Sequence, residues 1–228
     1  MKISIMQPYF LPYIGYWQLI DSADLFVIYD DVNFIKQGWI NRNKIIVNGK
    51  PIYFTLNLKK ASSFKKINEI EININPDKLL KTIYQAYCKY PFFEEGYSLI
   101  EDIFKIKTNN LSSFVYHSII EVNEYLNIKT KIKISSDLKI GEKFKAQDRI
   151  IYMCNKLKAD TYLNMIGGVN LYSYSDFNRA GLHLEFLSTK VDNLDRLSIL
   201  DLIFRYSKFD LGHILKYKKG VIDGIWAI

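Results

Sequence analysis

Cysteine is scarce in this sequence: among 228 residues there are two, Cys88 and Cys154. Each falls on a predicted helical face without a CxxC partner. They read as two lone buried thiols of a cytosolic protein rather than a disulfide or a metal site. Long apolar runs are missing as well. No stretch of about 18 uninterrupted apolar residues occurs, so no transmembrane helix is expected. At the N-terminus a single lysine precedes an apolar run that Gln7 and Pro8 break early, which is not the pattern of a signal peptide. There are three histidines, His117, His183 and His213, with no mutual spacing that suits a metal. GxSxG, HExxH, Walker A and GxGxxG are all absent, so a serine or cysteine nucleophile is not indicated. No internal repeat, low-complexity segment or linker interrupts the chain.

What is present describes a folded chain with an excess of positive charge. An apolar fraction of 49% with 24% charged residues excludes a disordered chain. The net charge is +7, from 31 Lys plus Arg against 24 Asp plus Glu. The lysines are scattered, and dense clusters such as Lys59–Lys60 and Lys65–Lys66 are short. A small anionic substrate accounts for this balance as well as a nucleic acid does. The 17 tyrosines, together with many Ile, Asn and Lys, also fit an AT-rich genome.

The chain is organised around MQPYFLPYIGYWQLI, residues 6 to 20. Lys2 to Met6 reads as a buried strand. Pro8 and Pro12 forbid regular hydrogen bonding and are expected to hold Gln7 to Tyr13 as a stiff, extended loop. Gly15 permits a tight turn, and Trp17, Leu19 and Ile20 begin a helix. A strand, a loop and a helix in this order open many α/β nucleotide-binding domains. Ala23 to Tyr29 is a second strand ending at Asp30–Asp31, where α/β sheets place their ligands. Lys44 to Val47 and Ile52 to Leu56 flank Asn48–Gly49, a hairpin signal. Lys59 to Asn68 is a polar loop before a short strand at Ile70 to Ile74. Asn75-Pro76-Asp77 starts a helix that Pro91 ends. Phe92 to Ile106 and Ser112 to Leu126 continue as helices, so that residues of about 75–127 form a helical insertion. Lys131 to Ile134 is a strand, Lys145 to Lys158 a helix and Asp160 to Asn164 a strand. The last runs into Gly167–Gly168, which either expose amides to an anion or make a plain turn. Leu182 to Leu187 is a strand, and Ser198 to Tyr206 a helix whose Ser198 and Asp201 fit a capping box. The expected fold is α/β: one domain over residues 1–228, with a single mixed or parallel sheet, flanking helices and strands 2–6, 24–29 and 160–164 adjacent.

Four blocks, MQPYFLPYIGYWQLI, FVIYDDVNFIKQGWINRNKI, YLNMIGGVNLY and LSILDLIF, resemble the WbqC-like family in order across most of the chain. The resemblance implies a setting in O-antigen and surface-polysaccharide biosynthesis. The reaction suggested for that family attaches glycine, or another small acyl group, to an amino sugar. A second resemblance is local. Tyr13-Ile14-Gly15-Tyr16 falls where class I synthetases and pantothenate synthetase carry an HxGH-type motif. Tyr13 and Tyr16 replace both histidines, and a phenol with a pKa of about 10 donates a hydrogen bond but carries no positive charge. This departure weighs against adenylate chemistry and leaves nucleotide binding. Positive charge would then come from Lys36, Arg42 or Lys44.

The candidate site follows. Of two adjacent carboxylates, one of Asp30 and Asp31 faces a cleft, as general base for an amine or to hold a sugar hydroxyl, and the other is a loop cap or an ion partner. Lys36 is the third catalytic candidate. Trp39 offers a stacking face, Arg42 a guanidinium for phosphate, and Asn41 an amide for hydroxyls. Gln7, Tyr9, Tyr13, Tyr16, Gly167, Gly168 and Asn170 complete the substrate-binding set, with Tyr13, Tyr16, Lys36 and Arg42 converging on an anionic nucleotide or nucleotide-sugar. No metal is expected, no cofactor is named by any motif, and the location is cytoplasmic. Three functions compete at this point: a transferase or ligase acting on an amino sugar, a non-catalytic nucleotide-sugar-binding partner of another enzyme, and an RNA-binding protein supported by charge alone.

Overall fold

The computed structural model describes residues 1–141, 143–189, 196–216 and 218–223. Its main sheet has six strands: β1 (Lys2–Met6), β2 (Leu25–Ile28), β7 (Lys131–Ile134), β8 (Thr161–Met165), β9 (His183–Thr189) and β10 (Lys218–Asp223). Their spatial order is β10-β9-β8-β1-β2-β7. Every pairing from β9 across to β7 is parallel, and β10 alone runs antiparallel at one edge. The three strands expected to be neighbours are neighbours, with β1 between β2 and β8. Two short ribbons stand apart from this sheet. One pairs β3 (Arg42–Val47) with β4 (Lys50–Thr55); the other pairs β5 (Leu58–Lys59) with β6 (Glu71–Ile72). The first is the expected hairpin, and Asn48 and Gly49 sit at φ 51° and 75°, as a type I′ turn requires.

Alternation along the strands creates two apolar faces. Ile3, Ile5, Leu25, Val27, Tyr162, Leu184 and Phe186 pack with Ile150, Met153 and Cys154 of α5 (Ala146–Lys156) and Phe177 of α6 (Tyr174–Arg179). Phe26, Ile28, Leu163 and Leu187 face the other way, toward α1 (Ile14–Asp21), α7 (Ile199–Arg205) and α8 (Lys208–Lys216). The α2 (Pro76–Tyr87), α3 (Phe93–Phe104) and α4 (Leu111–Tyr125) helices extend that second core. Asn75 caps α2 through Lys78 N as its sequence suggests. At α7 the capping box does not form: Ser198 accepts from Leu200 N, while the Asp201 carboxylate pairs with Arg205 one turn on. Cys154 is buried, and burial pushes its thiol up to about 12, which leaves it protonated and inert. Cys88, expected to be buried too, is half-buried where α2 ends.

The loop after β1 departs from a uniformly extended form. Leu11 turns back at φ 44°, a left-handed conformation costly for a leucine. The turn sends Phe10 and Leu11 into the core, both essentially inaccessible to solvent. Buried partners hold it. Asn43 Nδ2 donates to the carbonyls of Phe10 and Leu11 at 3.2 and 2.8 Å, Ser198 Oγ donates to Leu11 O at 2.8 Å, and Trp17 Nε1 donates to Pro12 O at 3.0 Å. The prolines start the loop, and the core fixes it.

Candidate functional site

In this sheet the chain leaves β1 for β2 on one side and later places β8 on the other. Open α/β sheets bind ligands at such a reversal, in the crevice beyond the carboxyl ends of the strands. A cavity of about 610 Å³ lies there, lined by Met6, Gln7, Tyr9, Tyr13 and Tyr16 at and after the end of β1, and by Asn164, Met165, Gly167, Gly168 and Tyr172 at and after β8. Tyr29 and Val32 close one side, and Gln147 of α5 reaches it from another. A second hollow of about 430 Å³ shares Tyr9, Tyr13, Met165 and Gly167 with the first and adds Trp39, Asn43, Thr189 and Arg196. A third, of about 410 Å³, shares Tyr29, Val32 and Ala146 and adds Asp31, Lys66, Lys145 and Arg149. The three form one cleft with an arginine at each end. A shallower hollow of about 830 Å³ lies near the amino ends of the strands, the edge where such sheets do not place ligands.

The tyrosines divide into those that build the cleft and those that can touch an occupant. The Tyr16 hydroxyl donates to Gln7 O at 2.9 Å and clamps the loop. Tyr9 and Tyr13 make no hydrogen bond through their hydroxyls among the described residues. The Tyr13 ring lies over Gly15, where an added β-carbon would come within 2.5 Å of it. Glycine at that position is therefore needed for this ring to sit where it does.

Across the cleft, Asn164 Nδ2 donates to the hydroxyls of Tyr162 and Tyr172 at 3.0 and 2.8 Å, while its Oδ1 accepts from Met165 N at 2.7 Å. The two hydroxyls are 3.0 Å apart. Tyr162 Oη also lies 3.5 Å from Ile5 O, to which it can donate, and either hydroxyl can be the donor between the two tyrosines, so Asn164 ties both phenols to the end of β8. Burial holds Tyr9, Tyr13, Tyr16 and Tyr172 above the usual phenol range, and Tyr29 is pushed up to about 12. Near neutrality all of them are neutral donors and apolar faces.

The paired carboxylates behave differently from each other. Asp30 is 3% exposed. Its Oδ2 accepts from Ser112 Oγ at 3.0 Å and Ser136 Oγ at 2.9 Å, and its Oδ1 from Ser135 Oγ at 3.1 Å and Ser136 N at 3.0 Å. It pins the ends of β2 and β7 to the start of α4. Asp31 borders the third hollow, where Ser135 Oγ donates to it at 2.5 Å and the Arg149 guanidinium pairs with it.

Around the first loop, Arg42 donates to the carbonyls of Gln37 and Gly38 and lies 4.3 Å from the Tyr53 ring centre. Asn41 Nδ2 donates to Leu56 O at 2.9 Å. These two residues hold the turn that carries Trp39, and neither lines the cleft. Lys36 stands exposed on that turn, and Asn170 is exposed beyond the cleft wall. The structure therefore does not bring Lys36 and Arg42 together with Tyr13 and Tyr16; among the described residues the cations on the cleft are Arg196, Arg149, Lys66 and Lys145. Gly167 and Gly168 lie in a six-residue 3₁₀ helix at Ile166–Leu171 and do not adopt positive φ.

Tyr29, Gln147, Arg149, Asn164, Tyr172 and Arg196 escaped the sequence reading. Asn164 carried a usable signal, an amide inside an otherwise apolar strand. The others depend on packing. Among the described residues no group of three or more His, Cys, Asp or Glu side chains is placed to hold a metal ion, and no helix is long and apolar enough to cross a membrane.

Fold and cleft together define an α/β protein with a cleft at the sheet's reversal point. Residues 7–211 match the model of the WbqC-like protein family, and the chain belongs to that family. Membership suggests a role in polysaccharide- or O-antigen-related biosynthesis. A curated relative, Uncharacterized protein Rv1507c of Mycobacterium tuberculosis, is 27% identical over 181 residues, covering 77% of this chain and 75% of its own. No solved structure matches the chain.

Proposed function

We propose that the cleft binds an amino sugar, carried as a nucleotide-sugar, and that the protein attaches a small acyl or aminoacyl group, glycine among the candidates, to its amine during surface-polysaccharide synthesis. The observation that carries this reading is the lining. Neutral phenols and the amide of Gln7 suit a ring bearing many hydroxyls, with Asn164 and Gln147 holding the wall in shape, while Trp39 and Arg196 at one end suit a stacked base or ring with an adjoining phosphate.

In this reading Tyr9, Tyr13, Tyr172 and the Gly167–Gly168 backbone contact substrate, and Asn41 and Arg42 position Trp39. Asp30 positions Asp31. The sugar amine attacks the carbonyl carbon of an activated acyl donor, the carbonyl–leaving-group bond breaks, and Asp31 takes the proton that the amine loses. The helices of residues 75–127 are an insertion within one WbqC-like domain.

A second reading, a nucleotide-sugar-binding partner without catalysis, is favoured by one fact: among the described residues, tyrosine is the only ionisable type lining the central cavity. Calorimetry against UDP-, dTDP- and GDP-linked amino sugars, then mass spectrometry of each bound sugar after incubation with acyl-thioester or with glycine and ATP, separates the two. Binding with a mass gain on the sugar supports transfer. Binding without it leaves the second reading, and no binding of any amino-sugar nucleotide overturns both.

A further inference from the structure

The loop from Lys59 to Lys66 reads KKASSFKK, four lysines around one phenylalanine and no acid. Phe64 is 92% exposed. Single exposed apolar side chains are ordinary, so its surroundings decide what it means. Phe34 N donates to Lys65 O at 2.9 Å, Ile67 N donates to Val32 O at 2.9 Å, and Asn33 and Lys66 form an antiparallel bridge. This backbone pairing sets the Ile35–Lys36 turn beside the Phe64 loop. Ile35 is 53% exposed, and Lys36 is exposed next to it. Two apolar side chains thus project from a face carrying Lys36, Lys59, Lys60, Lys65 and Lys66. Among the described residues Glu71 lies 4.0 Å from Lys59, and Glu69 accepts from Lys66 N at 2.9 Å. Asp31, in the hollow that Lys66 also lines, is paired with Arg149. Lys36, Lys60 and Lys65 add positive charge to this face.

We propose that this face docks on an anionic phospholipid surface, with Phe64 and Ile35 entering the boundary between headgroups and acyl chains and the lysines meeting lipid phosphates. The complementarity is of two kinds at once, apolar at the tips and cationic behind them, and a bilayer surface presents its counterparts in that order. Lysine stems bury their methylenes while the ammonium stays among headgroups. A nucleic acid is matched less well, since the Lys59–Lys66 loop and the Ile35–Lys36 turn carry no arginine and only one aromatic for stacking. The docking does not depend on the reaction proposed above. It has a geometric consequence for the cleft, because Val32, Asn33 and Lys66 also line the hollow that holds Asp31 and Arg149. Docking would bring that end of the cleft to the membrane.

The test is sedimentation of the full chain with vesicles of phosphatidylcholine alone and of phosphatidylcholine with phosphatidylglycerol, at low and high salt. Binding is expected only to the anionic vesicles and weakens as salt rises. Lys60→Gln with Lys65→Gln is expected to weaken it about fivefold per lysine, and Phe64→Ser about tenfold. Neither change should move Tm, because these side chains are exposed. In a Phe64→Trp variant, brominated lipids should quench fluorescence beyond the level seen in the parent. Absence of binding to anionic vesicles overturns the proposal. So does binding that Phe64→Ser leaves unchanged, or quenching no greater than the parent's. Tighter binding to single-stranded RNA than to anionic vesicles, insensitive to Phe64→Ser, also overturns it and marks a nucleic-acid surface.

Discussion

Asp30 and Asp31 are adjacent in the chain and opposite in circumstance. Asp30 accepts from Ser112 Oγ, Ser136 Oγ and Ser136 N and shares the Ser135 hydroxyl with Asp31, so two distant segments meet on it. Asp30→Ala would leave Ser136 N and several hydroxyls without their acceptor. That should cost about 3 kcal/mol and on the order of 10 °C in Tm for a chain of this size, measured by calorimetry. The Asp31–Arg149 pair is almost equally enclosed, with side chains 13% and 8% exposed. Arg149→Met strands a carboxylate and should cost about 3–5 kcal/mol. Adding Asp31→Asn to that variant should recover most of the loss, because the stranded charge goes too. A double variant no more stable than Arg149→Met alone would deny that the pair acts as a unit. The sequence marked both aspartates as functional but offered no means of telling them apart. The difference is made by Ser112, Ser135, Ser136 and Arg149, residues more than 80 positions away, whose approach is a property of the fold.

Two glycines show how helices serve different ends. At Gly96 in α3 an added β-carbon would lie 2.6 Å from the Phe204 ring and 3.1 Å from Ile203, so the helix owes its seat against α7 to that missing side chain. Gly96→Ala should destabilise by about 1–3 kcal/mol through overpacking, seen as an earlier denaturation midpoint with an unchanged slope. Gly15 in α1 meets only the movable Tyr13 ring. Gly15→Ala should therefore leave Tm within a degree or two, since alanine favours helix by about 1 kcal/mol over glycine, while displacing Tyr13 and weakening whatever the cleft binds. Elements of this kind were legible in part. The apolar runs of β1, β2 and β8 and the loops that follow them announced three neighbouring strands with ligand loops at one edge. Arg149 was hidden because it belongs to a helix that read simply as an amphipathic element, and its place on the buried face emerges only when α5 packs on β1 and β2. Arg42 was misplaced for the converse reason: a cation in a polar, aromatic loop after a sheet edge looks like a ligand contact until the loop's own carbonyls and Tyr53 are seen to hold it.

At the scale of the whole molecule the tyrosines make it sensitive to alkali. Burial raises Tyr9, Tyr13, Tyr16, Tyr162 and Tyr172 around the cleft, and lifts both Tyr29 and Tyr125 to about 12. In the unfolded chain each of these phenols titrates near its ordinary value of about 10. Above that pH the folded state binds more protons than the unfolded one, so stability must fall as pH rises. Their contribution is complete below about pH 10, by the same ordinary value. For Tyr29 and Tyr125 it is lost progressively as pH climbs to about 12. An alkaline titration followed by phenolate absorbance should accordingly show the buried set ionising together with the loss of circular dichroism. Tyr29→Phe removes one titrating group and should make the fall of stability with pH shallower, without changing its direction. The same burial keeps the cleft's phenols neutral from mildly acidic to mildly alkaline solution, so ligand affinity should vary little across that range except where the ligand itself titrates. A cleft tyrosine seen by NMR to ionise near neutral pH in the free protein would contradict the enclosure on which the shape of the site depends.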